Sequence, residues 1–321
     1  MISVEFCAGA GGQALGLELA GFKHALLVDN DPDCCRTLRH NRPEWDVRCE
    51  DMSVFDPPSI QRPDLFAAGL PCPPFSVAGK QLGKLDERDL FPAALRLIAK
   101  LQPKAILIEN VRGFMSKSFA GYRSELKRKF SKLGYEMDWC LFNAQNFGVP
   151  QSRTRVAIVA AKPNVWRHFR FPVPQETTAP FVGDVLSDLM AKNGWLEIET
   201  WRTRAQGIAP TVVGGSKKHG GPDLGPTRAR EAWRKLGVNG GSIAEDAPEK
   251  GFSGDPRLTV EMVARIQGFP DDWKFTGRKT AAYRQVGNAF PPPVAKALGL
   301  SIREAIERSE EVSSDYTVAA E

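Results

Sequence analysis

At 321 residues the chain is long enough to bury a sizeable core and to divide into a larger and a smaller domain. Its composition is that of a globular protein; apolar runs such as 105–108 and 156–161 are too short to cross a membrane, and the first residues lack a secretory pattern. A net charge of +5 permits a nucleic-acid partner without demanding one, and six cysteines with no CxxC spacing argue against a zinc site or a disulfide framework and fit a reduced, cytoplasmic setting.

Val4 to Ala8 reads as a strand running into Gly9-Ala10-Gly11-Gly12, where glycine permits a tight turn and close approach of backbone to a ligand. A helix through Leu15, Leu17 and Leu19 ends at Gly21. The next strand, His24 to Val28, carries Asp29-Asn30-Asp31 at its carboxyl end, where an acid suits a ribose diol. The turn departs from GxGxxG, so a smaller nucleoside fits as well as a dinucleotide. Pro32 to Leu38 reads as a helix and Asp46 to Cys49 as a short strand. Asp51 beyond it is either a partner for an adenine amine or a solvated turn acid.

Asp64 to Ala68 is a short apolar run, the pattern of a buried strand. It delivers Gly69-Leu70-Pro71-Cys72-Pro73-Pro74-Phe75-Ser76. The prolines stiffen this loop and hold the Cys72 thiol in place, and a thiolate is a strong nucleophile. The alternative is a buried structural cysteine. The polar loop Gly79 to Asp89 suits a cover over a bound chain. Leu90 to Leu101 reads as an amphipathic helix stopped by Pro103.

Ala105 to Ile108 is a second apolar strand, delivering Glu109-Asn110-Val111. Glu109 either caps the following helix or faces a ligand. Strands alternating with helices predict a mostly parallel sheet, which binds ligands at the carboxyl ends of its strands. Cys72 and Glu109 then share one edge. Ser124 to Leu133 reads as a basic helix and Tyr135 to Asn143 as a strand. Gln151-Ser152-Arg153-Thr154-Arg155 leads into the strand Val156 to Ala161. A strand period of two puts Arg153 and Arg155 on one face, costly unless they meet acids or an anionic ligand.

From Pro163 to about Pro256 the sheet rhythm stops and Pro and Gly become dense. Ala209 to Gly221 is glycine-rich, includes Thr211, Val212, Lys217 and Lys218, and has Arg202, Arg204, Arg228, Arg230 and Arg234 around it. Such loops suit contact with phosphates and base edges; the alternative is a surface insertion. Helical periodicity returns at Leu258 to Gly268, then come Gly287-Asn288 and a helix from Val294 to Arg308. The tail from Ser309 is polar and is expected to fray.

In this order the glycine turn, the Cys72 loop, Glu109-Asn110-Val111, Gln151 to Arg155, Arg265 to Pro270 and Gly287-Asn288 resemble the DNA (cytosine-5) methyltransferase family of bacterial restriction-modification systems. The resemblance implies a Rossmann-like α/β S-adenosylmethionine-dependent methyltransferase domain with a mostly parallel sheet, plus a smaller irregular target recognition domain. Residues 1–162 would form the catalytic domain, 163–257 the recognition domain, 258–308 a segment returning to the catalytic domain and 309–321 a polar tail.

By position, Cys72 resembles the nucleophile that adds to cytosine C6, Glu109 the group at N3 and the exocyclic amine, Arg155 the arginine at O2, and Arg153 its supporting neighbour. Gly9, Gly11, Asp29, Asn30, Asp51, Pro71, Leu90 and Asn288 resemble S-adenosylmethionine contacts. Cys7 stands where the family has an aromatic residue. Ser76, Thr211, Val212, Lys217 and Lys218 fall where the family touches DNA. The implied partners are double-stranded DNA and, functionally, a restriction endonuclease; a monomer is expected, without any coiled-coil pattern. Two alternatives keep the scaffold: a tRNA cytosine-5 methyltransferase and a non-catalytic DNA-binding regulator. A nicotinamide-dependent oxidoreductase would need a fuller dinucleotide fingerprint and would leave the Cys72 loop unexplained.

Overall fold

The computed structural model describes residues 1–58, 62–70, 89–174, 179–215 and 221–318, with side chains to 312. Pro71, Cys72, Ser76, Lys217, Lys218 and the 79–88 part of the expected cover lie outside the described residues.

The N-terminal half alternates as the periodicity predicts: β1 (Ile2–Phe6), α1 (Gly12–Leu19), β2 (Lys23–Asp29), α2 (Pro32–Asn41), β3 (Val47–Cys49), β4 (Leu65–Gly69), α3 (Phe91–Leu101) and β5 (Ala105–Val111). Then follow α4 (Ala120–Lys132), β6 (Glu136–Asn143), β7 (Thr154–Ala161) and α5 (Pro163–Trp166). The seven strands form one sheet in the order β3-β2-β1-β4-β5-β7-β6. Only β7 runs against its neighbours, pairing antiparallel with both β5 and β6. A parallel return needs a crossover of a dozen or more residues. The β6–β7 connection is too short for one and turns through a 3-10 segment ending at Gly148, whose φ of 78° suits glycine.

The sheet is apolar on both faces, as a sheet covered on both sides must be. One face packs Phe6, Phe66, Ile106 and Ile158 under α3 and α4. The other packs Leu65, Leu107 and Val159 under α1, α5 and α11 (Pro292–Val318), with α6 (Val182–Ala191), α7 (Ile198–Arg204), α8 (Thr227–Lys235), α9 (Val260–Ile266) and α10 (Lys279–Asn288) lying between α5 and α11 in the chain.

Two features differ from the sequence reading. The section after residue 163 carries three short helices, α6 to α8, packed around buried Trp195, Trp201 and Trp233. Helices of seven to ten residues are too short to show a clear period and are held by packing. The helix does not stop at Ser309: α11 continues to Val318, with Ser309 buried, its hydroxyl donating to the Ile306 carbonyl, and Glu310 to Val312 exposed.

Candidate functional site

Strand register builds the site. Gly69, the last residue of β4, pairs with Glu109 on β5, so the chain toward Cys72 departs beside that carboxyl. On the antiparallel partner β7, Ala157 lies opposite Glu109 and Arg155 opposite Val111. Arg155 is therefore diagonal to Glu109 on the same face, within reach of a long side chain. Its Nε donates to Glu109 Oε1 at 2.9 Å, and both side chains are mostly buried. Burial pushes the Glu109 carboxyl up from its ordinary value, and Arg155 and then Arg153 pull it back in part. Glu109 is thus a buried carboxyl near the carboxyl end of β5 with a guanidinium partner on β7.

Arg153 is fully buried, and it meets carbonyls rather than an acid. Its Nη1 donates to the Val212 carbonyl at 2.7 Å, and Nη2 to the Gly287 and Ala289 carbonyls at 2.9 and 3.0 Å. Desolvation, then the nearby Arg155, pushes its pKa well down, with Glu109 opposing. Arg153 thus ties the start of β7 to backbone carbonyls far away in the sequence.

The glycine turn sits at the carboxyl end of β1. Cys7 and Gly9 have φ of 51° and 54°, the left-handed region, and the Cys7 thiol is 3.3 Å from Met52 Sδ. The Asp29 carboxyl accepts from the N–H of Gly9 and of Asp31, each at 2.8 Å, so it clamps the turn as well as lining the edge. Trp273 donates to the Ala10 carbonyl from behind at 3.2 Å. Asn30 and Asp51 are exposed, and the Ser53 backbone N–H, then its hydroxyl, holds the Asp51 carboxyl below its usual value. Leu90 is half-buried at the start of α3. Asn288, at the end of α10, is exposed and donates to the Gly215 carbonyl at 3.2 Å. These groups fit S-adenosylmethionine. A Cβ at Gly9 would meet nothing within 4 Å, so the backbone there is open to a ligand, with acids at hand for hydroxyls and an amine.

Val212 corrects the sequence reading. It is fully buried, its N–H donates to Gln151 Oε1 at 2.9 Å and its carbonyl accepts from Arg153, so it cannot touch DNA. Thr211 stays half-exposed, its hydroxyl donating to the Ser152 carbonyl at 2.6 Å. Sequence reasoning passed over Gln151, Gln267 and Asp31 as individual residues. Asp31 followed Asp29 at the same strand end and caps α2 by accepting from the Asp33 N–H. The two glutamines gave no chemical signal before their partners were known.

A family model described as C-5 cytosine-specific DNA methylase matches residues 1–304. The chain is 50% identical over 98% of its length to the Type II methyltransferase M.NaeI of Lentzea aerocolonigenes, covering 78% of that protein. It is 49% identical over 95% of its length to the Type II methyltransferase M.NgoMIV of Neisseria gonorrhoeae, covering 98% of that one. Its fold is shared by a prophage-encoded protein of E. coli, with TM-score 0.67, 21% identity and coverage of 96% of this chain and 99% of that one. With the glycine turn, the buried Glu109–Arg155 pair and a match over nearly its whole length, the chain belongs to the C-5 cytosine-specific DNA methylase family and is an S-adenosylmethionine-dependent DNA (cytosine-5) methyltransferase.

Proposed function

We propose that the enzyme methylates cytosine within a short specific sequence of double-stranded DNA, on a flipped-out base, with Cys72 as nucleophile. The observation that carries this reading is the Glu109–Arg155 pair, buried on the sheet edge beside the strand that leads to Cys72. Cytosine C5 is a poor nucleophile. Addition of the Cys72 thiolate at C6 breaks aromaticity and loads electron density on C5. Glu109 holds a proton at N3 and Arg155 stabilises the charge developing at O2. Arg153 keeps Arg155 and its strand in place. The Gly9–Gly11 turn with Asp29, Asp51 and Asn288 would hold S-adenosylmethionine, which would supply an electrophilic methyl group. C5 then bonds to that methyl as the donor's sulfur leaves as a neutral thioether, and loss of the C5 proton to solvent with departure of the Cys72 thiolate restores the ring.

The target carbon is unreachable inside a duplex, and flipping costs a few kcal/mol. Residues 163–257, as recognition domain, offset that cost through contacts from Thr211, Lys217 and Lys218, with Ser76 on the Cys72 loop. The Type II names of the relatives support a role beside a restriction endonuclease. We assign the working form as a cytoplasmic monomer.

The test is transfer of labelled methyl from S-adenosylmethionine to unmethylated plasmid, read by bisulfite sequencing. One short methylated motif is the expected result. Incorporation into tRNA but not plasmid would overturn the choice of substrate. Cys72→Ser should abolish transfer while DNA binding survives; continued turnover would remove Cys72 as nucleophile.

A further inference from the structure

Behind the Glu109–Arg155 pair lies a buried polar chain that no step of the chemistry uses. Gln151 and Gln267 are fully buried. Gln151 Oε1 accepts from the Val212 N–H at 2.9 Å, and its Nε2 donates to Gln267 Oε1 at 2.6 Å. Gln267 Nε2 donates to the Ala289 carbonyl at 2.6 Å. The polarity of the chain is fixed end to end. An N–H at Val212 needs an acceptor and a carbonyl at Ala289 needs a donor, so each amide has one workable orientation. Arg153 closes the loop by binding the Val212 and Ala289 carbonyls at 2.7 and 3.0 Å. Both backbone groups of Val212 are therefore held by side chains two residues apart, on the stretch that continues into Arg155.

Neighbouring contacts lock the same segment. The Ser152 N–H donates to the Ala209 carbonyl and the Ala209 N–H to the Pro150 carbonyl, at 2.8 and 2.9 Å. The Tyr283 hydroxyl lies 3.1 Å from the Val213 carbonyl and 2.6 Å from that of Asp223. Gly214 and Gly287 bring two backbones together, where a Cβ on Gly287 would collide with Gly214.

We propose that Gln151, Gln267 and Tyr283 are positioning residues that set the register of segment 209–215 against the Glu109–Arg155 edge, so that DNA reading and base placement move as one body. The physical reason is the cost of disorder. Sliding the segment would leave buried amides and carbonyls unpaired, and a buried network of this kind holds one arrangement strongly when complete. Among the described residues none of the three hydrogen-bonds to the cofactor turn.

The proposal rests on residues 163–257 being the recognition domain. Gln151→Leu and Tyr283→Phe are compared with the wild type for kcat and KM on plasmid, for cofactor affinity by calorimetry, and for cognate against near-cognate methylation in bisulfite reads. The expected result for Gln151→Leu is a rise of about tenfold in KM for DNA, the size of one lost buried bond, with a reduced cognate preference and cofactor affinity within about twofold. Tyr283→Phe removes one hydroxyl, should fold, and decides the matter if Gln151→Leu does not; its expected change has the same pattern and smaller size. Unchanged KM and cognate preference in the folded variants overturn the proposal. So does a fall in cofactor affinity in step with DNA affinity, which would mean general loosening. A wild-type pattern with no preferred motif would instead sink the recognition-domain reading.

Discussion

A carboxyl buried away from water resists ionisation, and Glu109 and Glu5 do so in different settings. Glu109 is raised by burial and held partly in check by Arg155 and Arg153. Its protonated fraction falls as pH climbs through that raised value, so the rate of methyl transfer should fall on the alkaline side. Glu109→Gln should lower kcat by about 100-fold or more, leave DNA affinity within severalfold, and lose that alkaline limb. A pH–rate profile of the variant that kept the wild-type limb would show that another group carries the proton. Glu5 is a different case. It lies on β1 against α1, and neither carboxyl oxygen has a hydrogen-bond partner of normal geometry among the described residues. Burial pushes it well up, the nearby Gln13 amide opposes, and Asp29 adds to the rise. The folded chain keeps a proton there that the unfolded chain releases above the ordinary carboxylate range, so stability falls as pH rises through that range. Glu5→Gln removes the linkage. It should gain on the order of 1 kcal/mol near neutral pH, roughly 2–4 °C in Tm, with the gain shrinking on acidification. Equal melting of the two proteins at neutral pH would contradict it.

Among the elements, α1 and α11 depend on two small residues. A Cβ on Gly12 would collide with the Phe290 carbonyl, and one on Gly16 with the Pro292 carbonyl and the Ala295 side chain. Backbone cannot swing away as a flexible side chain can. Gly16→Ala should therefore cost about 1–3 kcal/mol by overpacking, and should weaken cofactor binding, because α1 starts from the glycine turn. Gly121, in α4, has nothing within 4 Å of a Cβ, so Gly121→Ala should stabilise by about 0.5–1 kcal/mol through helix propensity. Chemical denaturation of the two variants checks both signs. The sheet itself was readable because β1, β2, β4, β5 and β7 are short runs rich in apolar residues, separated by turn signals or helical stretches. Glu109 and Arg155 were readable for the same reason, strand ends and a period of two. The fate of Arg153 was not. Its partners are the carbonyls of residues 212, 287 and 289, far away in sequence, and carbonyls carry no residue signature. Val212 misled because a segment's place in the chain says nothing of which residue in it faces inward.

At the scale of the whole molecule the sheet cannot be completed by the part of the chain that contains it. Strands β1 to β7 end at Ala161, yet the face under α1 is covered by Phe290, Val294, Leu298, Ile302 and Ile306, supplied from the far end of the chain. At about 1.5–3 kcal/mol for each fully buried apolar side chain, losing these five exceeds the net stability of many domains. The same return brings Gln267, Gly287 and Ala289 to the back of the site. Residues 163–257 are thus inserted in the chain between two parts of one core, with α6 to α8 packed around their own buried tryptophans. A chain ending at residue 257 keeps every strand and loses this cover. It should show no cooperative thermal transition and no cofactor binding. Adding a separate polypeptide of residues 258–321 by co-expression should restore both, since the missing face is apolar and complementary. A truncated chain that melted cooperatively by calorimetry without that polypeptide would mean the sheet is closed by something other than α11, and the packing argument at Gly12 and Gly16 would fall with it.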